Sequence, residues 1–598
     1  MATDKTRKEL EEHFQSAVQS EDVMGECLQM CTLFDLSPED LFYKWEAFSY
    51  SGSVKDRMIS TLTIDGAKEL HAYLRQQRAA QAAVSTPAMP KVKTLPKSVL
   101  RGFGGTSKMS PSPFRTPQPM KTRIVRVPDT PTIVNHRPKA QYIPPTNLTE
   151  YKYLYMRERI PERSGALDDL IEDFAELVKS RYGVKALGDP SSGTEADTLV
   201  VGRICSDSDE KLNESSILLE PSRILGSGRR VPLSFLPSCT FRTDITGRST
   251  VGLFPGQIVL LKGQNGDRKR FLASEVWSLP RLLAPSREIP PPGAALESDD
   301  PTDLIVACGP FSFDRDLEFQ PLAKLLQQVE KHQPSVLILL GPFLDVQNEL
   351  IKTANISVPL AETFQSQISA KLDSLLVAVP GISIFLVPSV RDIVHDHVAV
   401  PQSAFDKEQL GLSQHIVTLP NPSVFRINGV SIGVSSTDIL MHLNSQQINK
   451  RLAAAPLPAT VTKQSPPVPN QAADAMIHLS RHILEQRSFY PLFPVPHQLS
   501  SSVNLDITHS YLLRLGQGDG DRDGLEGTAP DVLILPSRLK HFHRAVDCTL
   551  VVNPGFATRG QDFQTYAKIS LPSVSSLRSL ENANLANLAT VEIVKMDD

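Results

Sequence analysis

Two stretches, 303–316 (DLIVACGPFSFDRD) and 334–347 (PSVLILLGPFLDVQ), each place a short, mostly apolar run directly in front of a sharp loop containing Gly-Pro. Short apolar runs bounded by Gly and Pro read as strands. Between them Leu322, Leu325, Leu326 and Val329 recur at helical spacing, which predicts an amphipathic crossover helix. The alternation continues downstream. Strands are expected at Leu304–Ala307, Val336–Leu340, Ile382–Val387, Val430–Val434, Val532–Leu535 and Thr549–Val552. Together they make an α/β sandwich with two sheets or one mixed sheet. An Ala/Pro-rich insertion at 452–475 and an acidic Gly-rich loop at 516–527 interrupt it.

The loops resemble those of a dinuclear metallophosphoesterase, with a difference that decides the chemistry. In such an enzyme they carry Asp-x-His and Gly-Asp-x-x-Asp, because two divalent metals need oxygen and imidazole ligands at the strand ends. Here the first loop offers Ala307, Cys308 and Gly309; in the second, Pro342 stands where the bridging Asp belongs and only Asp345 remains. The third loop should read Gly-Asn-His-Asp/Glu and reads Pro388-Ser389-Val390-Arg391-Asp392. Where a Gly-His-x-His pair belongs, the chain has Leu535-Pro536-Ser537-Arg538-Leu539-Lys540. Proline has no side-chain donor atom, and arginine or lysine repels a dication. One carboxylate does not assemble a two-metal site. No catalytic residue, metal or cofactor is therefore expected. Asp392, His395 and His397, and separately His541 and His543, are the clusters most easily mistaken for ligands, but they lie near basic residues without carboxylates from other loops. No Gly-x-Ser-x-Gly elbow, Walker loop or His-Glu-x-x-His helix occurs.

A length of 598 residues allows several domains, and a net charge of −4 argues against wholesale nucleic-acid coating. The six cysteines are scattered, as in a reducing compartment, and lack zinc-site spacing. The first residues, MATDKTRKELEE, contain no apolar signal-like core, and apolar runs such as Val336 to Leu340 end within a few residues. A soluble intracellular protein is the expectation.

Four regions are expected. Residues 1–80 form a small helical interaction domain: Ser37 caps a helix with Pro38 at its first position and Asp40 three residues on, and Leu41, Phe42, Trp45 and Phe48 share a face. Val23, Met24, Cys27, Met30 and Cys31 form a second apolar stripe, and Ala67, Leu70, His71 and Leu74 a third. Residues 81–150 are a Pro-rich, basic, disordered tether. Within it Ser110, Ser112, Thr116 and Thr130 each precede proline, so they are candidate phosphorylation sites, each phosphate adding about −1.5 to −2 charges. Residues 151–290 hold a helical lead-in (Leu167, Leu170, Ile171, Phe174, Leu177, Val178) and short strands around 199–204, 216–219, 231–235, 249–254 and 258–263, the pattern of an OB-fold barrel. Arg223, Arg229, Arg230 and Arg242, with Phe235, Phe241 and Phe254, are the candidates for a single-strand groove; the competing reading places these aromatics in the barrel core. Residues 291–598 form the sandwich.

ACGPF (307–311), LLGPFLD (339–345), VPSVRD (387–392), SSTDIL (435–440), QRSFYPLFP (486–494), PDVLILPS (530–537), VVNPG (551–555) and LFPGQIVLLKG (253–263) resemble motifs of the accessory B-subunits of replicative DNA polymerases. The length, the helical domain and the long tether most resemble the polymerase α–primase branch. The resemblance implies a multidomain α+β chain in which an OB-fold packs on a calcineurin-like phosphoesterase sandwich lacking metal ligands. It implies no enzymatic activity. It also implies a nuclear location and a clasp on the C-terminal domain of the α catalytic subunit. Primase would join through the complex, other replication proteins through the N-terminal domain, and DNA mainly indirectly. Tyr490 and Phe493 are the candidate interface anchors, core residues being the alternative. A δ- or ε-type B-subunit and an active metallophosphoesterase are the competing functional readings.

Overall fold

The computed structural model describes residues 7, 10, 21–34, 37–51, 67–68 and 70–71, and from 139 onward all but 146–147, 209, 227, 246–247, 286, 288–299, 459–473, 517–526, 580–584 and 597–598. The chain divides into two compact units, Met1–Ile124 and Val125–Asp598. Ser110, Ser112, Thr116 and Thr130 lie outside the described residues.

In the first unit, helices α1 (Glu21–Phe34) and α2 (Pro38–Ser51) pack through Val23, Met24, Cys27, Met30, Cys31 and Leu41, with Ala67 and Leu70 in the same core. Ser37 Oγ accepts the Asp40 amide at 3.1 Å, the cap expected from its position. Burial pushes the Cys27 thiol up to about 12, which marks this cysteine as a core residue.

The second unit opens with β1 (Tyr142–Ile143) and then α3 (Ile160–Tyr182), whose Ile171, Phe174, Leu177 and Val178 face the barrel. The barrel strands are β2 (Thr194–Ser206), β3 (Ile217–Glu220), β4 (Val231–Thr243), β5 (Thr250–Leu253), β6 (Ile258–Asn265) and β7 (Phe271–Trp277). β2, β3, β4, β6 and β7 close on themselves, because β4 pairs parallel with β7 while β2 pairs with both β3 and β6. Closure removes the sheet edges.

Two six-stranded sheets follow, built from β1 with β8 (Thr302–Cys308), β9 (Val336–Leu340), β10 (Ser383–Val387), β11 (Ile416–Thr418), β12 (Ser423–Ile427), β13 (Val430–Val434), β16 (Val532–Ile534), β17 (Phe542–Val546), β18 (Thr549–Asn553), β21 (Thr565–Leu571) and β22 (Thr590–Lys595); β14 (Ile448–Arg451) and β15 (Ala453–Pro456) lie outside them, and β19 (Thr558–Arg559) and β20 (Asp562–Phe563) form a small hairpin. One sheet runs β11-β10-β9-β8-β21-β22, the other β1-β12-β13-β16-β18-β17. Their facing sides share a core that includes Val306, Ile338, Phe385, Phe425, Ile432 and Ile534. On the outer faces, α4 (Gln320–His332) and α5 (Ala370–Ala378) cover the first sheet, and α6 (Ile439–Gln446) and α7 (Ala475–Glu485) the second. All six expected sandwich strands are present, within a residue or two of their expected ends.

Two boundaries differ from expectation. The tether is expected over 81–150, but Tyr142 and Ile143 pair with Ile427 and Arg426, and Ala140 is buried, so its last residues complete the edge of a sheet. The expected insertion at 452–475 begins inside a clasp. β14 pairs with barrel strand β5 and β15 with β4, so a segment leaving α6 is built into the barrel wall.

The seam between barrel and sheets is polar and specific. The Gln486 side chain donates to Ile258 O at 2.9 Å and accepts Ile258 N–H at 2.7 Å. Arg248 forms a buried ion pair with Glu485, and Arg487 donates to Pro280 O at 2.9 Å. Gly256 (φ 93°) passes so close that a Cβ there would lie 2.4 Å from Phe493 N. Replacing Gln486 by alanine orphans a buried N–H and a buried carbonyl, at about 1–3 kcal/mol for each group. The expected result is a lower urea midpoint and faster proteolysis between the domains; Gly256→Ala should act in the same direction.

Candidate functional site: the strand-end loop cluster

The loops after β8, β9, β10, β13, β16 and β18 converge at one end of the two sheets, and backbone bonds tie them together. Gly309 N–H donates to Leu340 O at 2.8 Å, Gly341 N–H to Val387 O at 2.8 Å, and Ala557 N–H to Cys308 O at 2.7 Å. The approach is close. A Cβ on Gly309 would lie 1.9 Å from Pro342 O, and one on Gly341 2.3 Å from an Asp392 carboxylate oxygen. These glycines are required by packing, since any side chain there would collide with backbone or with a buried acid.

Asp345, the one carboxylate retained from the expected ligand pattern, is buried and ion-paired with Arg391, whose Nε donates to Oδ1 at 3.1 Å and whose Nη2 donates to Oδ2. The positive charge facing Asp345 is thus covalently attached to the neighbouring loop. Val346 N–H donates to Arg391 O and Ile393 N–H to Leu344 O, which holds the two loops in register. Beside the pair, Asp392 accepts from the amides of Phe343, Leu344 and Ser389. Burial pushes its carboxyl up to about 7, against the pull of those three donors. Cys308 is fully buried, its thiol 3.2 Å from Gly341 O, and burial raises its pKa well above the ordinary thiol value. That is the setting of an inert cysteine.

His395, near this cluster, is committed elsewhere. His395 Nε2 faces Ser403 O at 2.8 Å while Nδ1 accepts the His397 amide at 2.9 Å. Both ring nitrogens are used, so the neutral Nε2–H tautomer fits and no lone pair is left for a metal. His397 packs against Tyr153 and Tyr155, and burial drops its pKa to about 4. His541 and His543 lie on the loop and strand at β17. Among the described residues, no group of three or more His, Cys, Asp or Glu side chains is arranged to hold a metal ion.

The two aromatics expected at a partner interface are used inside the chain. Tyr490 is 3 % exposed, its hydroxyl 3.1 Å from His442 Nδ1, in the core under α6 and α7. It is a core residue and cannot anchor a partner. Phe493 is half-buried against the guanidinium groups of Arg163 and Arg203, at 5.2 and 5.7 Å, and its N–H donates to Pro255 O, so it closes the seam with the barrel. The residues of QRSFYPLFP that sequence reasoning missed are Gln486 and Arg487; their signal is two long polar side chains inside an otherwise apolar motif.

Of the four candidate barrel arginines three are ion-paired, and Arg229 is exposed. Arg223 pairs with Asp168, Arg230 with Glu220 and Arg242 with Glu275. Phe241 and Phe254 are buried, and Phe235 packs with the barrel core.

The sequence matches two family models. That of the B-subunits of DNA polymerases alpha and epsilon covers residues 304–544, from β8 to β17, and that of the OB domain of the DNA polymerase alpha B-subunit covers residues 164–279. The chain is similar to the B-subunit of DNA polymerase alpha from Schizosaccharomyces pombe, with 31% identity over 584 residues, covering 93% of this chain and 94% of the relative. The protein of the same name from Saccharomyces cerevisiae is 30% identical over 71% of this chain and 61% of the relative. That from Rattus norvegicus is 27% identical over 70% and 62%.

The Asp392 carboxyl gives a pH prediction. Its folded pKa, about 7, is above the ordinary aspartate value, so the native state holds a proton that the unfolded chain releases. The stabilisation is present in full below about pH 4 and is lost as pH rises through about 7. Asp392→Asn should flatten this part of the stability–pH curve in urea titrations. At neutral pH it should cost about 1–3 kcal/mol, because its amide group faces one of the three N–H donors.

Proposed function

Because the chain belongs to the family of DNA polymerase alpha B-subunits, we propose that it is the non-catalytic accessory subunit of a polymerase α–primase. In this reading the barrel and the two-sheet domain act as one docking body for the C-terminal domain of the α catalytic subunit. Primase joins through that catalytic chain, and the N-terminal helical unit reaches other replication proteins. The work is nuclear. Phosphorylation at Ser110, Ser112, Thr116 or Thr130 would regulate assembly by neutralising the basic segment around them.

The observation that carries the non-catalytic part is the Arg391–Asp345 ion pair. In a two-metal phosphoesterase, carboxylates at such strand ends hold the cations that polarise phosphate and generate hydroxide. A guanidinium does neither: it stays protonated, offers no open coordination position, and cannot lower the pKa of a bound water. With Pro342 and Arg391 in place of ligands, the loop cluster supports a scaffold derived from a calcineurin-like phosphoesterase. The seam supports the docking role, since buried hydrogen bonds and ion pairs fix the two domains as one surface.

The test is capture. The full chain, mixed with C-terminal domains of the α, δ and ε catalytic subunits, should retain the α domain selectively and at one-to-one stoichiometry. Equal capture of all three, or capture of none, would contradict the assignment.

A further inference from the structure

The run Arg538–Arg544 (RLKHFHR) follows β16 at the loop-cluster end and becomes β17, an edge strand of its sheet. No Asp or Glu occurs from 532 to 546. Its apolar members and its backbone are fixed from inside. Phe542 is buried in the outer core, Ser537 N–H donates to Asn553 Oδ1 at 2.9 Å, and Asn553 Nδ2 donates to Leu539 O and Lys540 O. β17 also pairs antiparallel with β18 along its length. The polar members point out: Arg538, Lys540, His543 and Arg544 are all exposed.

Two carboxylates touch this run, and each is occupied as a helix cap. Asp438 caps α6 by accepting Met441 N–H, and it also accepts the Arg538 backbone amide. Asp474 caps α7 by accepting Met476 N–H, and it takes the Arg544 side chain at 2.7 Å. Arg538 and Lys540 make no ion pair among the described residues. Arg223, Arg230 and Arg242 on the barrel, by contrast, are neutralised by Asp168, Glu220 and Glu275. Uncompensated positive charge therefore sits on an ordered loop beside the sheets.

We propose that Arg538 and Lys540 form a direct, sequence-independent contact for the phosphodiester backbone of single-stranded nucleic acid. Two cations separated by one residue on a bent, pre-ordered segment offer point charges to a phosphate chain, and no aromatic platform accompanies them, so the contact reads charge and not bases. The side chains lose little freedom beyond their own rotamers, because the backbone beneath them is already fixed. His543 adds a neutral donor: burial and the adjacent Arg544 hold its pKa below the ordinary histidine value. The choice of nucleic acid over another polyanion rests on the accessory-subunit reading.

The experiment is fluorescence anisotropy of a dye-labelled 30-nucleotide single strand titrated with the full chain between 50 and 200 mM KCl. Each phosphate neutralised contributes about −0.7 to the slope of log K against log salt for single strands. Arg538→Gln with Lys540→Gln should therefore reduce the slope by about 1.4 and weaken binding several-fold at 100 mM. Arg538→Glu with Lys540→Glu should abolish binding, and Arg229→Gln on the barrel should change neither quantity. Both double variants replace exposed side chains, and an unchanged melting temperature checks that they fold. No wild-type binding at 50 mM, or an unaltered slope in the Gln double variant, would overturn the proposal. So would poly-glutamate competing as well as DNA at equal charge, which would assign the patch to an acidic protein. Capture of the α C-terminal domain by the same variants separates the two readings. Capture without DNA binding sinks this proposal alone, and loss of capture by the wild type sinks the accessory-subunit assignment.

Discussion

The structure depends on one reciprocal hydrogen-bond pair, the Gln486 amide against the backbone of Ile258. Ile258 opens barrel strand β6, and Gln486 follows α7 of the two-sheet domain, so the N–H and carbonyl of one barrel residue are both satisfied by the other domain. Around it lie the Arg248–Glu485 pair and the Arg487 bonds to the chain after β7. Burial alone would push Glu485 up, yet Arg248 and its neighbours hold its carboxyl below the usual range, so the pair stays charged at neutral pH. Buried polar contacts of this kind add little net stability compared with apolar packing, but they penalise every misaligned arrangement. A surface assembled from two domains keeps its shape only if the domains cannot slide. The strands β14 and β15, reaching from one domain into the wall of the other, serve the same end.

The loop cluster, too, is held by contacts within the chain. In a metalloenzyme the ions help to draw strand-end loops together. Here Arg391 satisfies Asp345, three amides satisfy Asp392, and the Gly309–Pro342 approach closes the remaining space. These contacts tie the cluster together. Its rim is then free to carry features unrelated to phosphate hydrolysis, among them the exposed basic run at 538–544.

How much of this is legible in the sequence depends on whether a feature is local. Strands that run apolar into Gly-Pro, the Ser37 cap and the α3 stripe follow from short-range pattern, and the structure has them. β14 (INKR) and β15 (AAAP) carry no strand signal; their partners lie some 200 residues away and tertiary pairing creates them. β7 escapes sequence reading because its alternation, FLASEVW, is broken by small and charged residues, among them Glu275, which pairs with Arg242 of β4. Tyr490 and Phe493 stand out because aromatics often anchor interfaces, but the motif around them closes an interface within the chain. Pattern alone does not distinguish the two; only the three-dimensional contacts do.

Arg391 supplies the positive charge facing Asp345 from within the chain. The most direct measurement is elemental analysis of the purified full-length protein after dialysis against trace manganese, zinc and iron. The account predicts no divalent metal at stoichiometric level, with Arg391→Ala also failing to recruit one, since Pro342 and the neighbouring loops supply no ligands. Retention of about two ions per chain, the complement of a working phosphoesterase, would contradict it.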